Sequence, residues 1–115
     1  MLKFLRGDTC LFKVKLIING GDVIQMSDIN SIFITCRQAP NKDSNVLFKK
    51  TINDVVLDEE GYLHCAFNPS DTENLYYGEY FFDIEITLTS GYRKTRLYKF
   101  ELTQETTIYG GTNGD

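Results

Sequence analysis

The chain has 115 residues, of which 42% are hydrophobic and 24% charged, and its formal net charge is −4. This is the length of one ordinary domain, whose core is large enough to need neither a metal nor a disulfide. The acidic balance argues against a nucleic-acid partner, which requires a concentrated basic face. No apolar stretch approaches the length of a membrane span, so no membrane partner is expected.

Cysteine usage points to a reducing compartment. The residues Cys10, Cys36 and Cys65 are odd in number and widely spaced. They match neither a Cys-x-x-Cys metal clamp nor a secreted disulfide framework. Folding in a reducing cytoplasm is therefore expected, with Cys36 and Cys65 as buried thiols.

Strand-like alternation recurs along the chain, and no segment has sustained helical periodicity. The first predicted strand covers about residues 9–18, with Lys13 and Lys15 on its outer face. A short strand over residues 23–26 and a long strand over residues 31–37 follow. After a polar loop, residues 46–52 are predicted as an edge strand. Its two lysines, Lys49 and Lys50, are expected to discourage edge-to-edge pairing.

The next segment is a predicted hairpin that turns at Gly61, where a turn with a bulge favours a left-handed residue. Its arms cover residues 55–57 and 62–67, and the core-facing positions of the second arm are Leu63, Cys65 and Phe67.

The run from Asn68 to Ile86 carries the most information about architecture. Pro69 and Asp71 supply turn chemistry, and the pattern Leu-x-x-Gly-x-Tyr that ends at Tyr80 is typical of a tyrosine corner. A long strand follows, in which Tyr80, Phe82, Ile84, Ile86 and Leu88 alternate with polar residues and are predicted to face inward. The last predicted strand covers residues 94–102.

Together these elements predict an all-β protein with an immunoglobulin-like antiparallel β-sandwich of about 7–9 strands. We assign residues 1–108 to this domain and residues 109–115 to a short flexible tail, which is Gly-rich and polar. The tail is either a frayed end or an arm that becomes ordered on a partner.

Residues with catalytic or metal-binding potential do not form a recognisable constellation. The single histidine, His64, lies on an outward strand position without fixed partners. The acids Asp54, Asp58, Glu59 and Glu60 lack the spacing of a calcium loop and indicate a solvated turn. Asp83 and Glu85 share a strand face, where pairing with Arg93, Lys94 or Arg96 explains them more simply than a glycosidase-like pair. We predict no catalytic residue, no metal and no cofactor, and hence no enzyme.

Four sequence runs carry a family resemblance. They are Arg6-Gly7-Asp8-Thr9, residues 28–35, the segment from Pro69 to Ile84, and residues 95 and 100–107. On these runs the chain resembles the immunoglobulin-like domains of structural proteins of tailed bacteriophages, and it is similar to the amino-terminal domain of phage baseplate upper proteins.

The resemblance implies a non-enzymatic virion structural subunit, in the tail, the baseplate or attached to the head. Such a subunit would be made in the bacterial host cytoplasm and assembled into the virion. It would act through other phage structural proteins, with homo-oligomerisation expected. The aromatic residues expected at the interface are Tyr76, Tyr77, Phe81, Tyr92 and Tyr109, since aromatic side chains dominate interface cores. For each of them, half-buried packing beneath a loop is the alternative.

A carbohydrate-binding β-sandwich module is the second function that the sequence allows. Exposed tyrosines at positions 62, 76, 77 and 92 would then stack on sugar rings. This alternative depends on an analogy between folds.

Overall fold

The computed structural model describes residues 2–16, 24–41 and 43–104, and these ranges contain eight strands in two sheets. The strands are β1 (Leu2–Leu5), β2 (Cys10–Lys15), β3 (Ile29–Arg37), β4 (Val46–Thr51), β5 (Val56–Leu57), β6 (Tyr62–Phe67), β7 (Gly78–Leu88) and β8 (Arg93–Thr103). Helical structure in these ranges consists of the 3₁₀ turns Met26–Asp28 and Ile52–Asp54 and the single-turn helix α1 (Pro69–Thr72).

The two sheets have an immunoglobulin-like strand order. One sheet has five strands in the order β1-β8-β7-β3-β4, and the other has three in the order β2-β6-β5. The first contains the equivalents of immunoglobulin strands C, F and G, and the second those of B, E and D. Neighbouring strands are antiparallel, except that β1 is parallel to β8. The predicted all-β sandwich is confirmed, and its eight strands fall within the expected number. The predicted boundary at residue 108 and the tail lie outside the described residues.

An aromatic cluster forms the centre of the core between the sheets. The ring of Phe67 on β6 lies 4.8–5.8 Å, centroid to centroid, from the rings of Phe4, Phe12, Phe48, Phe82 and Phe100. Such aromatic pairs each contribute about 0.5–1.5 kcal/mol beyond burial of their area. The predicted inward positions of β6 and of β7 from Tyr80 to Ile86 are all buried, which confirms the alternation read from the sequence.

The crossing between the sheets is fixed by hydrogen bonds around α1. The Tyr80 hydroxyl donates to the Tyr76 carbonyl at 2.6 Å, which confirms the predicted tyrosine corner. Fully buried Thr72 accepts the Gly7 N–H at 3.0 Å, so the crossing is tied to the segment that joins β1 to β2.

The prediction that Lys50 protects an edge is wrong, although β4 is indeed an edge strand. Lys50 is in register with buried Ile34, which places its side chain on the core side of the sheet. Its ammonium group lies 2.6 Å from a carboxylate oxygen of Asp71 in α1, and both side chains are largely buried. Only Lys49, opposite Thr35, projects from the outer face.

The amino-terminal prediction needs two corrections. The sequence pattern missed β1, because this four-residue strand is stabilised by pairing with the distant residues Phe100–Thr103. The predicted strand over residues 23–26 is also wrong in its described part, where Met26 begins a 3₁₀ turn. The Asp28 carboxylate accepts the Gln25 N–H at 3.2 Å and so favours the turn. Residue 23 lies outside the described ranges.

Candidate functional site

The predicted interface aromatics do not form one surface. Tyr76 and Tyr77 precede β7, whereas Tyr92 follows it. The 11 residues of β7 place these positions about 36 Å apart. Phe81 lies on the outer sheet face at an intermediate position, and Tyr109 lies outside the described residues. The four described residues of this set therefore share no common patch, and their role at an interface stays a prediction.

The tyrosines of the sugar-binding alternative are also dispersed. Tyr62 lies on the three-stranded sheet, where the ammonium groups of Lys13 and Lys15 stand 4.5 and 4.7 Å from its ring centroid. Tyr77 carries the Arg6 guanidinium over its ring at 4.2 Å. These contacts occupy two of the four rings with cations, and no aromatic platform is assembled from the set.

The outer face of the five-stranded sheet is salt-bridged. Arg37 Nη1 lies 3.1 Å from Asp83 Oδ2, and the two side chains are only 19% and 26% exposed. The prediction that Asp83 pairs with Arg93, Lys94 or Arg96 is therefore wrong, because Asp83 pairs with β3 instead of β8. Strand alternation explains this in part: Arg96 is in register with buried Ile84 and so belongs to the opposite, core-facing side.

His64 has a partner that sequence reasoning missed. Its Nε2 lies 2.7 Å from Asp58 Oδ2 in the turn between β5 and β6. The pKa of Asp58 is lowered, first because the Tyr62 N–H donates to its carboxylate and then because of His64. The six-residue separation, with a turn between, is the sequence signal that could have suggested this contact. Among described residues, no group of three or more His, Cys, Asp or Glu could hold a metal.

The three cysteines are buried free thiols. Burial raises the pKa of Cys10 to about 11 and the pKa values of Cys36 and Cys65 to about 12. Since the thiolate is the nucleophilic form, these thiols are poor nucleophiles at neutral pH. The prediction of buried cysteines is confirmed for Cys36 and Cys65, and Cys10 is buried as well.

One edge of the five-stranded sheet is only partly covered. Strand β1 pairs with Phe100–Thr103 and reaches no further along β8. The Arg6 N–H donates to the Thr103 carbonyl at 3.1 Å, so the backbone of Thr103 faces the β1 side. Backbone direction alternates along a strand, and therefore Leu97, Thr95 and Arg93 direct their N–H and C=O groups to this same side. No strand in the described ranges pairs with these three residues there.

The side chains at this open edge are mostly basic. Arg93 and Lys99 lie on the outer sheet face, where Arg93 Nε donates to Thr87 Oγ1 at 3.4 Å and Lys99 pairs with Glu79 at 3.1 Å. Leu97 lies between them and is 52% exposed.

Beside this edge there is a gap between the two sheets, which we call the mouth. Its floor consists of the apolar side chains of Leu16, Ile84, Ile86 and Tyr98, and its rim of Lys15, Lys94 and Arg96. Lys15 donates to the Glu60 carbonyl. The side chain of Arg96 is exposed and has no hydrogen bond or ion pair with any described residue. The open edge and the mouth together are the candidate site, and neither was predicted from the sequence.

Comparison with known proteins supports the fold alone. No protein-family model and no curated protein matches the sequence. Among solved structures, the chain is similar to CopC from Methylosinus trichosporium OB3b, with 11% identity, a TM-score of 0.50, and coverage of 95% of this chain and 91% of CopC. At this identity the likeness extends to the β-sandwich and not to function.

The predicted bacteriophage function is corrected by this comparison. The similar structure is CopC, which is not a phage structural protein, and the terms virion, tail and baseplate have no support. The carbohydrate-binding alternative is equally unsupported. No helix in the described ranges is long and apolar enough to cross a membrane. Homo-oligomerisation, cytoplasmic synthesis, the absence of catalysis and the family resemblance itself stay predictions.

Proposed function

We propose that this protein is a non-enzymatic binding module that takes an extended segment of a partner protein as an added strand at the open edge of β8. The observation that carries the proposal is the backbone direction of Arg93, Thr95 and Leu97, which face away from β7 where no described strand pairs with them. Unpaired strand edges bind extended peptides through main-chain hydrogen bonds, while adjacent pockets read alternate side chains.

The charge of the edge disfavours a second copy of the same strand as the partner. Antiparallel pairing of two β8 edges would bring the cations Arg93, Arg96 and Lys99 of one copy near those of the other. Like charges across paired strands are destabilising, and natural proteins use charged edges to prevent such association. The edge is therefore suited to a different chain.

Selection of peptides and a proline substitution test this proposal. Random nine-residue peptides displayed on yeast are selected on the wild-type protein and then titrated against Leu97→Pro. Proline removes one outward N–H, which an edge strand tolerates because that group makes no bond to β7. We expect affinity to fall at least about tenfold, the equivalent of one lost hydrogen bond of about 1.4 kcal/mol.

Two controls separate loss of the donor from loss of the fold. The matched variant Leu97→Ala keeps the backbone donor and should retain most of the affinity. Selected peptides are also synthesised with N-methyl groups at alternate residues, and methylation in one of the two registers should abolish binding to the unaltered protein. The proposal is overturned if no peptide is enriched, or if neither Leu97→Pro nor N-methylation in either register weakens binding.

A further inference from the structure

The mouth beside the open edge has a charge that no described residue neutralises. Arg96 is in register with Ile84, whose side chain is 3% exposed, so the guanidinium group extends from a core-facing position past an apolar floor. It has no ion pair among the described residues. A strand position beside a buried isoleucine ordinarily carries an apolar residue, because alternate side chains share one face of the sheet. An unpartnered arginine at this position therefore suits a ligand.

We propose that the segment bound at this edge is acidic, with a carboxylate placed against Arg96 and an apolar side chain inserted over Ile84 and Ile86. This inference rests on the proposed function and names the chemistry of its partner. Arginine binds carboxylates through two parallel hydrogen bonds. Arg93 and Lys99 lie on the outer sheet face, where solvent screens them and Lys99 is paired with Glu79, so they add only a weaker attraction for an acidic chain.

A protein segment fits this geometry better than a nucleic acid does. The edge offers backbone donors and acceptors at the spacing of a strand, which an extended polypeptide satisfies at alternate residues. The chain carries a net charge of −4, so the positive potential is local. No described aromatic lines the mouth except Tyr98, whereas binding of single-stranded nucleic acid depends on several stacked rings.

The test uses two defined probes that differ only in charge. One is a fluorescent nine-residue peptide of alternating valine and threonine in which glutamate replaces the valines two residues before and two residues after the central valine, so that both carboxylates lie on the same strand face as that valine. The other probe has glutamine in place of glutamate. Binding is measured by fluorescence anisotropy at low and high salt. We expect the glutamate probe to bind wild-type protein about tenfold more tightly, and the difference to shrink as salt screens the charges.

A matched pair of arginine substitutions locates the effect. Arg96→Gln should weaken binding of the glutamate probe about fivefold and leave the glutamine probe unchanged. Arg93→Gln, which removes a cation from the outer sheet face instead of the mouth, should change both probes by less than about twofold. Both substitutions are at exposed positions, and unfolding curves will verify that the fold is retained.

The outcomes separate this inference from the proposed function. If the two probes bind wild-type protein with equal affinity and neither binds Leu97→Pro, recognition of an acidic segment is overturned, whereas strand addition at the edge is supported. Equal weakening of the glutamate probe by Arg96→Gln and Arg93→Gln would overturn the role of the mouth. Displacement of the probe by a short oligothymidine would indicate a general polyanion site. If the protein is a dimer without the probe and the probe dissociates it, the edge binds a second copy of the chain. Either result would also overturn the inference.

Discussion

The two halves of strand β8 have the same partner on one side and different environments on the other. From Arg93 to Leu102, β8 pairs with β7. The half from Phe100 to Thr103 is covered by β1, and its inward residues Phe100 and Leu102 are 0% and 1% exposed. The half from Arg93 to Lys99 has no such cover among the described strands, and all its residues except Tyr98 are exposed.

The difference shows how one strand serves stability and binding at separate places. In the covered half, Phe100 belongs to the aromatic cluster around Phe67 and the Thr103 hydroxyl donates to the Phe4 carbonyl, and both are contacts between distant parts of the chain. The open half exposes backbone groups and cations. Binding surfaces are expected in regions with fewer buried contacts and more exposed backbone, and β8 contains both types of region.

The largest expected effect comes from deleting aliphatic side chains of similar size at the two halves: Leu102 lies in the covered half, and Ile86 lies on β7 in register with Lys94 of the open half. Leu102→Ala should lower the free energy of unfolding by about 4 kcal/mol, because its cavity is enclosed by β1 and the core. Ile86→Ala should lower it by about 2 kcal/mol, since its side chain borders the mouth and the space left is accessible to water. Urea unfolding measures both values. Equal losses of unfolding free energy in the two variants would contradict the difference between the covered and open halves of β8.

Amide hydrogen exchange tests the open edge in the free protein. The N–H groups of Glu101 and Thr103 face β1, whereas those of Thr95 and Leu97 face the uncovered side. We therefore expect exchange at Thr95 and Leu97 to be roughly 100-fold faster than at Glu101 and Thr103. The amides of Arg96 and Tyr98, which face β7, serve as matched internal controls and should be protected. Comparable protection at all these positions would show that another segment covers the edge.

Much of the sandwich could be predicted from the sequence because its strands alternate. The inward positions of β6 and β7 follow a period of two, and burial of one face preserves that pattern. The tyrosine corner was predictable because its hydrogen bond joins residues only four apart, Tyr80 and Tyr76. Local patterns of this kind are recorded in the sequence itself.

The candidate site could not be predicted because it depends on where a strand is missing. The extent of β1 along β8 is determined by pairing between residues that are 98 positions apart in the sequence, such as Leu2 and Phe100. The sequence also gave no sign that Arg96 borders the core or that Lys50 reaches Asp71, because both lie in runs that look like solvated strand faces. Side chains that cross from one element to another have no periodic signature.

The smallest expected effect concerns the tyrosine corner and has a defined pH dependence. Tyr80 lies on β7 in register with Phe100 of the covered half. Tyr80→Phe removes its hydrogen bond to the Tyr76 carbonyl and should lower the free energy of unfolding by about 1 kcal/mol near neutral pH. The pKa of Tyr80 is raised above its ordinary value of 10.0, mainly by burial and then by the nearby Cys36. A raised pKa in the folded state means that the stabilisation is complete below pH 10 and is lost as the pH rises through the folded-state value. The stability difference between wild type and Tyr80→Phe should therefore shrink above pH 10.

Tyr98→Phe is the matched control, because the Tyr98 hydroxyl has no hydrogen bond to a described residue. This variant should show neither the loss of stability nor the pH dependence. If the stability difference between wild type and Tyr80→Phe stays constant through alkaline pH, the Tyr80 hydroxyl is not the group that makes stability depend on pH in this range.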